Sequence, residues 1–67
     1  MPEDVLSGLK AENLLEAYQA RPAYQQNDYI GWITRAKQPA TRQKRIKQLL
    51  SELKSGDKYM KMDYSAS

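Results

Sequence analysis

The sequence predicts an all-α fold, a small bundle of three to four short helices with a flexible C-terminal tail. Three observations carry this. Apolar residues recur at the helical spacing i, i+3, i+4, i+7 in one segment after another. Residues that start or stop helices (Asn13, Pro22, Pro39, Gly56) fall between those segments. Strand-like alternation occurs only in "YMKMDY", where Met60 and Met62 alternate with charges. A lone short strand with nothing to pair against is unstable, so no strand is expected.

The first helix opens after Met1, where Pro2 suits the first helical position and Glu3 and Asp4 favour the positive end of the helix dipole. Val5, Leu6 and Leu9 share one face. Asn13 followed by Glu16 reads as a capping box, which places a break near Glu12 and a short second helix carrying Leu14, Ala17 and Tyr18. "RPAYQQ" is the next corner, since Pro22 opens a helix more readily than it continues one. From Ala23 to about Lys37, the residues Tyr29, Trp32, Ile33 and Ala36 form a stripe suited to burial. Gly31 lies on the far side of that wheel. Gln38-Pro39 ends this helix, and Pro39 or Thr41 opens the last one. There Ile46, Leu49, Leu50 and Leu53 repeat the stripe, and Gly56 stands where a left-handed C-cap belongs. The expected core is Leu6, Leu9, Leu14, Tyr18, Tyr29, Trp32, Ile33, Ile46, Leu49, Leu50 and Leu53. Residues 1–56 read as the helical domain and 57–67 as a disordered or weakly docked tail.

With 67 residues the chain forms one domain at most. A chain of this size buries only roughly 60% of its unfolded surface, so its stability is a few kcal/mol. It has no cysteine and no histidine. That excludes disulfides, Cys/His zinc sites, thiol nucleophiles and imidazole acid–base chemistry. No apolar run approaches the ~20 residues that span a bilayer. The acidic opening is unlike a secretory signal, so a cytoplasmic location without membrane insertion is expected.

Charge is unevenly placed. Residues 1–34 carry two basic and five acidic side chains, and residues 35–67 carry nine basic and three acidic. Six of the basic residues, with no acidic one among them, lie between Arg35 and Lys47. This asymmetry marks either an anionic partner or two halves packed on each other. On the wheel of the last helix, Arg45 and Lys47 lie roughly 90–110° from the apolar stripe on opposite flanks, and Lys44 points away from it. That arrangement favours a solvated face over a phosphate-binding surface. The candidate binding surface is Arg35, Lys37, Lys44, Arg45 and Lys47.

Arg42 differs, because it falls about 30–40° from the stripe centre and its stem should lie against the core. A guanidinium there needs a carboxylate, and Glu12, Glu16 and Asp28 are the candidates. Trp32 shares the stripe of Tyr29 and Ala36, so it reads as core rather than as a platform for stacking bases. Tyr18 and Tyr29 are expected to pack with their hydroxyls at the edge, and Tyr24 to be partly exposed. Tyr59 and Tyr64, with Met60 and Met62, give the tail some capacity for contacts. Catalysis finds no support: there is no Gly-rich phosphate loop, no calcium loop and no room for a deep pocket. No cofactor or metal is expected.

"WITRAKQPATRQKRI" resembles the C-terminal helical segment of the bacteriocin-protection, YdeI or OmpD-associated family. The shared positions are Trp32, Ile33, Ala36, Lys37, Thr41, Arg42, Arg45 and Ile46, with Tyr29 and the opening "PEDVLSGL" also similar. Gly31 and "QQND" depart from the family's pattern. Many members also have an N-terminal β-rich domain that these residues do not resemble. The resemblance implies a helical fold, a bacterial origin and a link to envelope stress or bacteriocin tolerance, and brings no catalytic residues. The expectation is a non-enzymatic interaction or adaptor module with a protein partner. The alternative is a nucleic-acid-binding module that uses the basic residues between Arg35 and Lys47.

Overall fold

The computed structural model describes residues 1–56, 58–60 and 62–63. Four helices follow one another: α1 Glu3–Ala11, α2 Leu15–Gln19, α3 Ala23–Thr34 and α4 Pro39–Ser55. Two-residue strands, β1 Lys58–Tyr59 and β2 Met62–Asp63, pair antiparallel after them. The all-α reading therefore holds, with a minimal hairpin appended.

The α1–α2 corner forms differently from the expected capping box. Asn13 has φ 58°, the left-handed conformation. The N–H of Leu14 donates to the Leu9 carbonyl at 2.7 Å, and that of Asn13 to the Lys10 carbonyl at 3.1 Å. This is the Schellman pattern that ends a helix, with Asn in the place more often held by Gly. No side chain caps α2, whose N-cap is Leu14. Asn13 thus stops α1 rather than starting α2. It is among the few non-Gly residues that tolerate φ > 0.

Elsewhere the boundaries follow local chemistry. Pro39 is the first residue of α4, where its missing N–H costs nothing. Gly56 ends α4 at φ 78°, its N–H donating to the Glu52 carbonyl at 2.9 Å. The second corner is held by side chains: Tyr18 Oη donates to the Gln26 carbonyl, and Gln26 Nε2 donates to the carbonyls of Arg21 and Gln19.

The core is Val5, Leu9, Tyr18, Tyr29, Ile33, Ile46, Leu49 and Leu53. Leu14, Trp32 and Leu50 are only half-buried and pack against its margin, and Leu6 is half-buried outside it. The reason is the crossing of α1 on α4. Gly8 sits at the contact, where a Cβ would lie 3.5 Å from Leu50 and 3.6 Å from Ile46. That crossing puts Val5 and Leu9, on either side of Gly8, into the interior and rotates Leu6 outward.

Residues 58–59 pair with residues 62–63, Lys58 opposite Asp63 and Tyr59 opposite Met62. The stability of this hairpin comes from docking rather than from its ladder. The Tyr59 ring meets Tyr24 and Tyr29 edge-on, with centroids 6.2 and 5.5 Å apart. Its hydroxyl donates to the Asp28 carboxylate, and the N–H of Met60 donates to Glu52 Oε1 at 2.7 Å. The expectation of a disordered or weakly docked tail otherwise concerns residues 57, 61 and 64–67, which lie outside the described residues.

Candidate functional site

The basic run divides into charges held by other groups and charges with no ion-pair partner among the described residues. Arg42 forms a two-point ion pair with Asp4 of α1: Nε lies 2.6 Å from Oδ2 and Nη2 3.0 Å from Oδ1. Its partner is therefore Asp4, not Glu12, Glu16 or Asp28. The acidic first turn of α1 lies beside the amino-terminal turn of α4, while Glu12 is taken by Lys54 at the other end and Asp28 by Tyr59. The Arg42 hydrogen bond holds the Asp4 carboxyl below its ordinary value, against the opposing effect of burial.

Arg45 is also engaged, but with α3. Its guanidinium carbon lies 5.3 Å from the centroid of the Trp32 ring, a cation–π contact. Its Nη1 donates to the Trp32 carbonyl. The backbone bonds of the α3 C-terminus skip that carbonyl, since Arg35 N–H goes to Gly31 and Ala36 N–H to Ile33. Arg45 thus caps α3 from α4.

Beside this contact lies an open groove of about 450 Å³, lined by Trp32, Thr41, Lys44, Arg45, Lys47 and Gln48. Thr41, Arg45 and Gln48 form one row of α4 at i, i+4 and i+7, with Lys44 and Lys47 together on one side of it. Neither lysine has an ion-pair partner among the described residues. Three of the five residues expected at a binding surface thus meet at one place. Arg35 and Lys37 are exposed in the α3–α4 connection and do not line the groove.

The motif residues separate in the same way. Ile33 and Ile46 are core, Arg42 is the ion pair, and Trp32 and Thr41 line the groove. Ala36 is half-buried just after α3, where its N–H bonds to Ile33. Trp32 is a wall between core and groove, tilted 56° against Tyr29, rather than an interior residue.

A second polar cluster escaped the sequence reading. Glu52 is buried on α4 and accepts hydrogen bonds from Tyr29 Oη, Met60 N–H and Gln48 Nε2. Arg21 and Gln25 are buried beside it, Arg21 donating to Gln25 Oε1 at 3.2 Å and to the Glu52 carbonyl at 3.3 Å. Burial first, then the Glu52 carboxylate, raises the Tyr29 phenol well above its ordinary range. One available signal was that Glu52 is the sole carboxylate of α4, three residues beyond Leu49 on the apolar stripe. No group of three or more His, Cys, Asp or Glu among the described residues is placed to hold a metal. No helix among them is long and apolar enough to cross a membrane.

The family model described as bacteriocin-protection, YdeI or OmpD-associated matches residues 1–56. The chain belongs to this family. The bacteriocin-protection, YdeI or OmpD-associated match takes in all four helices and stops before the hairpin. The groove therefore belongs to the family domain, whereas the Tyr59–Met60 contact is added outside it. Compared with curated proteins and with solved structures, the chain shows no match to either.

Proposed function

We propose that the domain is a non-enzymatic interaction module of a bacterial cytoplasmic protein, and that it docks a protein partner in the α3–α4 groove. The carrying observation is the lining itself: an aromatic wall and cations, with no carboxylate, thiol or imidazole. Among the described residues, no carboxylate or imidazole lines the groove beside the Thr41 hydroxyl to act as its base. Such a lining is suited to binding through charge and an aromatic face. The family's description, bacteriocin protection and association with OmpD, supports a role in envelope stress or bacteriocin tolerance exercised through contacts.

The cations of the groove also suit a nucleic-acid-binding module, the competing reading. Against it stands Arg45, which covers a face of Trp32 that a base would need for stacking.

The test is a photo-crosslinking amino acid placed at Thr41 in producing cells, with a control at the exposed Glu3 on α1. Discrete protein adducts at Thr41, absent at Glu3, are the expected result. Adducts dominated by nucleic acid, or none beyond the control, would overturn the proposal.

A further inference from the structure

The cations of α4 are sorted by position. Arg42 near its start and Lys54 near its end are bound by Asp4, in the first turn of α1, and Glu12, at its C-cap. The three between them, Lys44, Arg45 and Lys47, line the groove. Among the described residues no carboxylate is paired with any of the three. The acidic half of the chain thus neutralises the ends of the basic helix and leaves its centre positive. Arg45 is fixed in place by the ring and carbonyl of Trp32, so one charge of the three is already oriented before anything binds.

Resting on the reading that the groove docks a protein, we propose that it recognises a short acidic segment of that partner, carrying two or more Asp or Glu side chains. Thr41 to Gln48 spans ~10 Å along the helix axis. That matches about three to four residues of an extended chain. Alternate side chains of an extended segment lie on one side, ~7 Å apart, so two carboxylates reach Lys44 and Lys47 together. The apolar side chain between them faces away, and the Thr41 hydroxyl and the Gln48 amide are left for the peptide backbone. A nucleic acid fits less well. Three cations in a pocket-sized groove contact few phosphates, Arg35 and Lys37 lie outside it, and the Trp32 face is occupied by Arg45.

Trp32 is the chain's single tryptophan, so its emission reports directly on the groove. The intact protein is titrated with three probes: an alternating Asp-Leu peptide, its Asn-Leu counterpart and a short single-stranded oligonucleotide. The acidic peptide is expected to bind and perturb Trp32, and the neutral one to do neither. Combining Lys44→Glu with Lys47→Glu should weaken the acidic peptide by at least about tenfold, with an unchanged melting temperature. Combining Arg35→Glu with Lys37→Glu, outside the groove, should change it by less than about twofold. Equal losses in the two double variants, or no binding of the acidic peptide, would overturn the inference. Tighter binding of the oligonucleotide would do the same and assign the groove to nucleic acid. Protein adducts at Thr41 without acidic-peptide binding would remove this inference alone and leave the interaction module standing.

Discussion

Arg42 and Asp4 join the first turn of α1 to the first turn of α4 through two parallel hydrogen bonds, 38 positions apart in the chain. The geometry is the fork-to-carboxylate match that a lysine cannot reproduce. Arg42 and Asp4 are 27% and 36% exposed, so solvent screens the pair and its contribution is that of a well-oriented surface ion pair rather than of a buried one. Arg42→Ala should lower the melting temperature measurably, and Arg42→Lys should recover part of the loss. Lys44→Ala should leave the melting temperature almost unchanged, because Lys44 is exposed and has no ion-pair partner among the described residues. Matching melts for the Arg42→Ala and Lys44→Ala variants would show that the pair contributes nothing.

The same pair sets an acid limb. Asp4 titrates below its ordinary 3.8 in the folded protein, chiefly through the Arg42 hydrogen bond. A depressed carboxyl adds stability above its unfolded value, and that stability is lost as pH falls through the folded value. Melting temperature should therefore decline below about pH 4. In the Asp4→Asn variant this part of the decline should be missing, as thermal melts across that range will show.

At the alkaline end the phenols act in the opposite sense. Burial, then the Asp28 carboxylate, pushes Tyr59 up to about 12. Tyr29 is raised further by burial and by Glu52, and burial alone raises Tyr18. A raised folded value adds stability that is complete below the unfolded value of 10.0 and lost as pH rises through the folded one. Stability should fall above pH 10, and Tyr59→Phe should flatten that fall. Tyr29→Phe removes a hydrogen bond to a buried carboxylate, for a loss of about 1.5–3 kcal/mol at neutral pH. Urea unfolding of both variants at neutral and alkaline pH gives the comparison.

Much of this was legible in the sequence because helical period and breakers are local signals. The stripe of α4, the Tyr29–Ile33 spacing of α3, Pro39 at the start of α4 and Gly56 at its end required no knowledge of the other helices. The end of α3 did require it: the helix stops at Thr34 rather than near Lys37, so Ala36 falls beyond the expected stripe. Asn13 was misplaced for a local reason as well: the same residue type serves as an N-cap and as a left-handed helix stop, and only the Leu14-to-Leu9 bond distinguishes them. Partners were harder. That Arg42 faces the acidic half follows from its wheel position, but the choice of Asp4 depends on how α1 crosses α4 at Gly8. The groove was half legible: the wheel puts Lys44, Arg45 and Lys47 outside the core, yet only the α3–α4 packing turns Trp32 toward them.

Three glycines should respond to alanine in different ways. Gly8 is mid-helix, and an added methyl makes ordinary contacts with Leu50 and Ile46 at 3.5 and 3.6 Å. Gly8→Ala should stabilise by about 0.5–1 kcal/mol through helix propensity. At Gly31 the methyl would meet the guanidinium tip of Arg35 at 3.1 Å, which swings aside, so a smaller gain is expected. Gly56 has φ 78°, where a Cβ is strained whatever the space around it, and Gly56→Ala should cost about 1–2 kcal/mol. In a domain of this size each kcal/mol moves the melting temperature by ~4–8 °C, so the ordering is readable by calorimetry.

Trp32 and Arg45 decide how the basic run divides between structure and surface. The indole is half-buried, packed against Tyr29 on one side and lining the groove on the other. Its emission should therefore lie between that of a fully buried and that of a fully hydrated ring. Arg45→Ala removes the guanidinium from the ring and the donor from the Trp32 carbonyl. Cation–π contacts at exposed sites are worth about 0.5–1 kcal/mol. An unsatisfied helix-end carbonyl beside solvent adds little to that, because water replaces the donor. A loss of about 1 kcal/mol together with a red shift of Trp32 emission is the expected result. Arg45→Lys should restore less than half of either effect, since an ammonium cannot cover the ring and cap the carbonyl at once. Lys47→Ala should move neither. A red shift of equal size in the Lys47→Ala variant would mean that the ring senses the charge of the groove at large, and that Arg45 holds no special place in the wall.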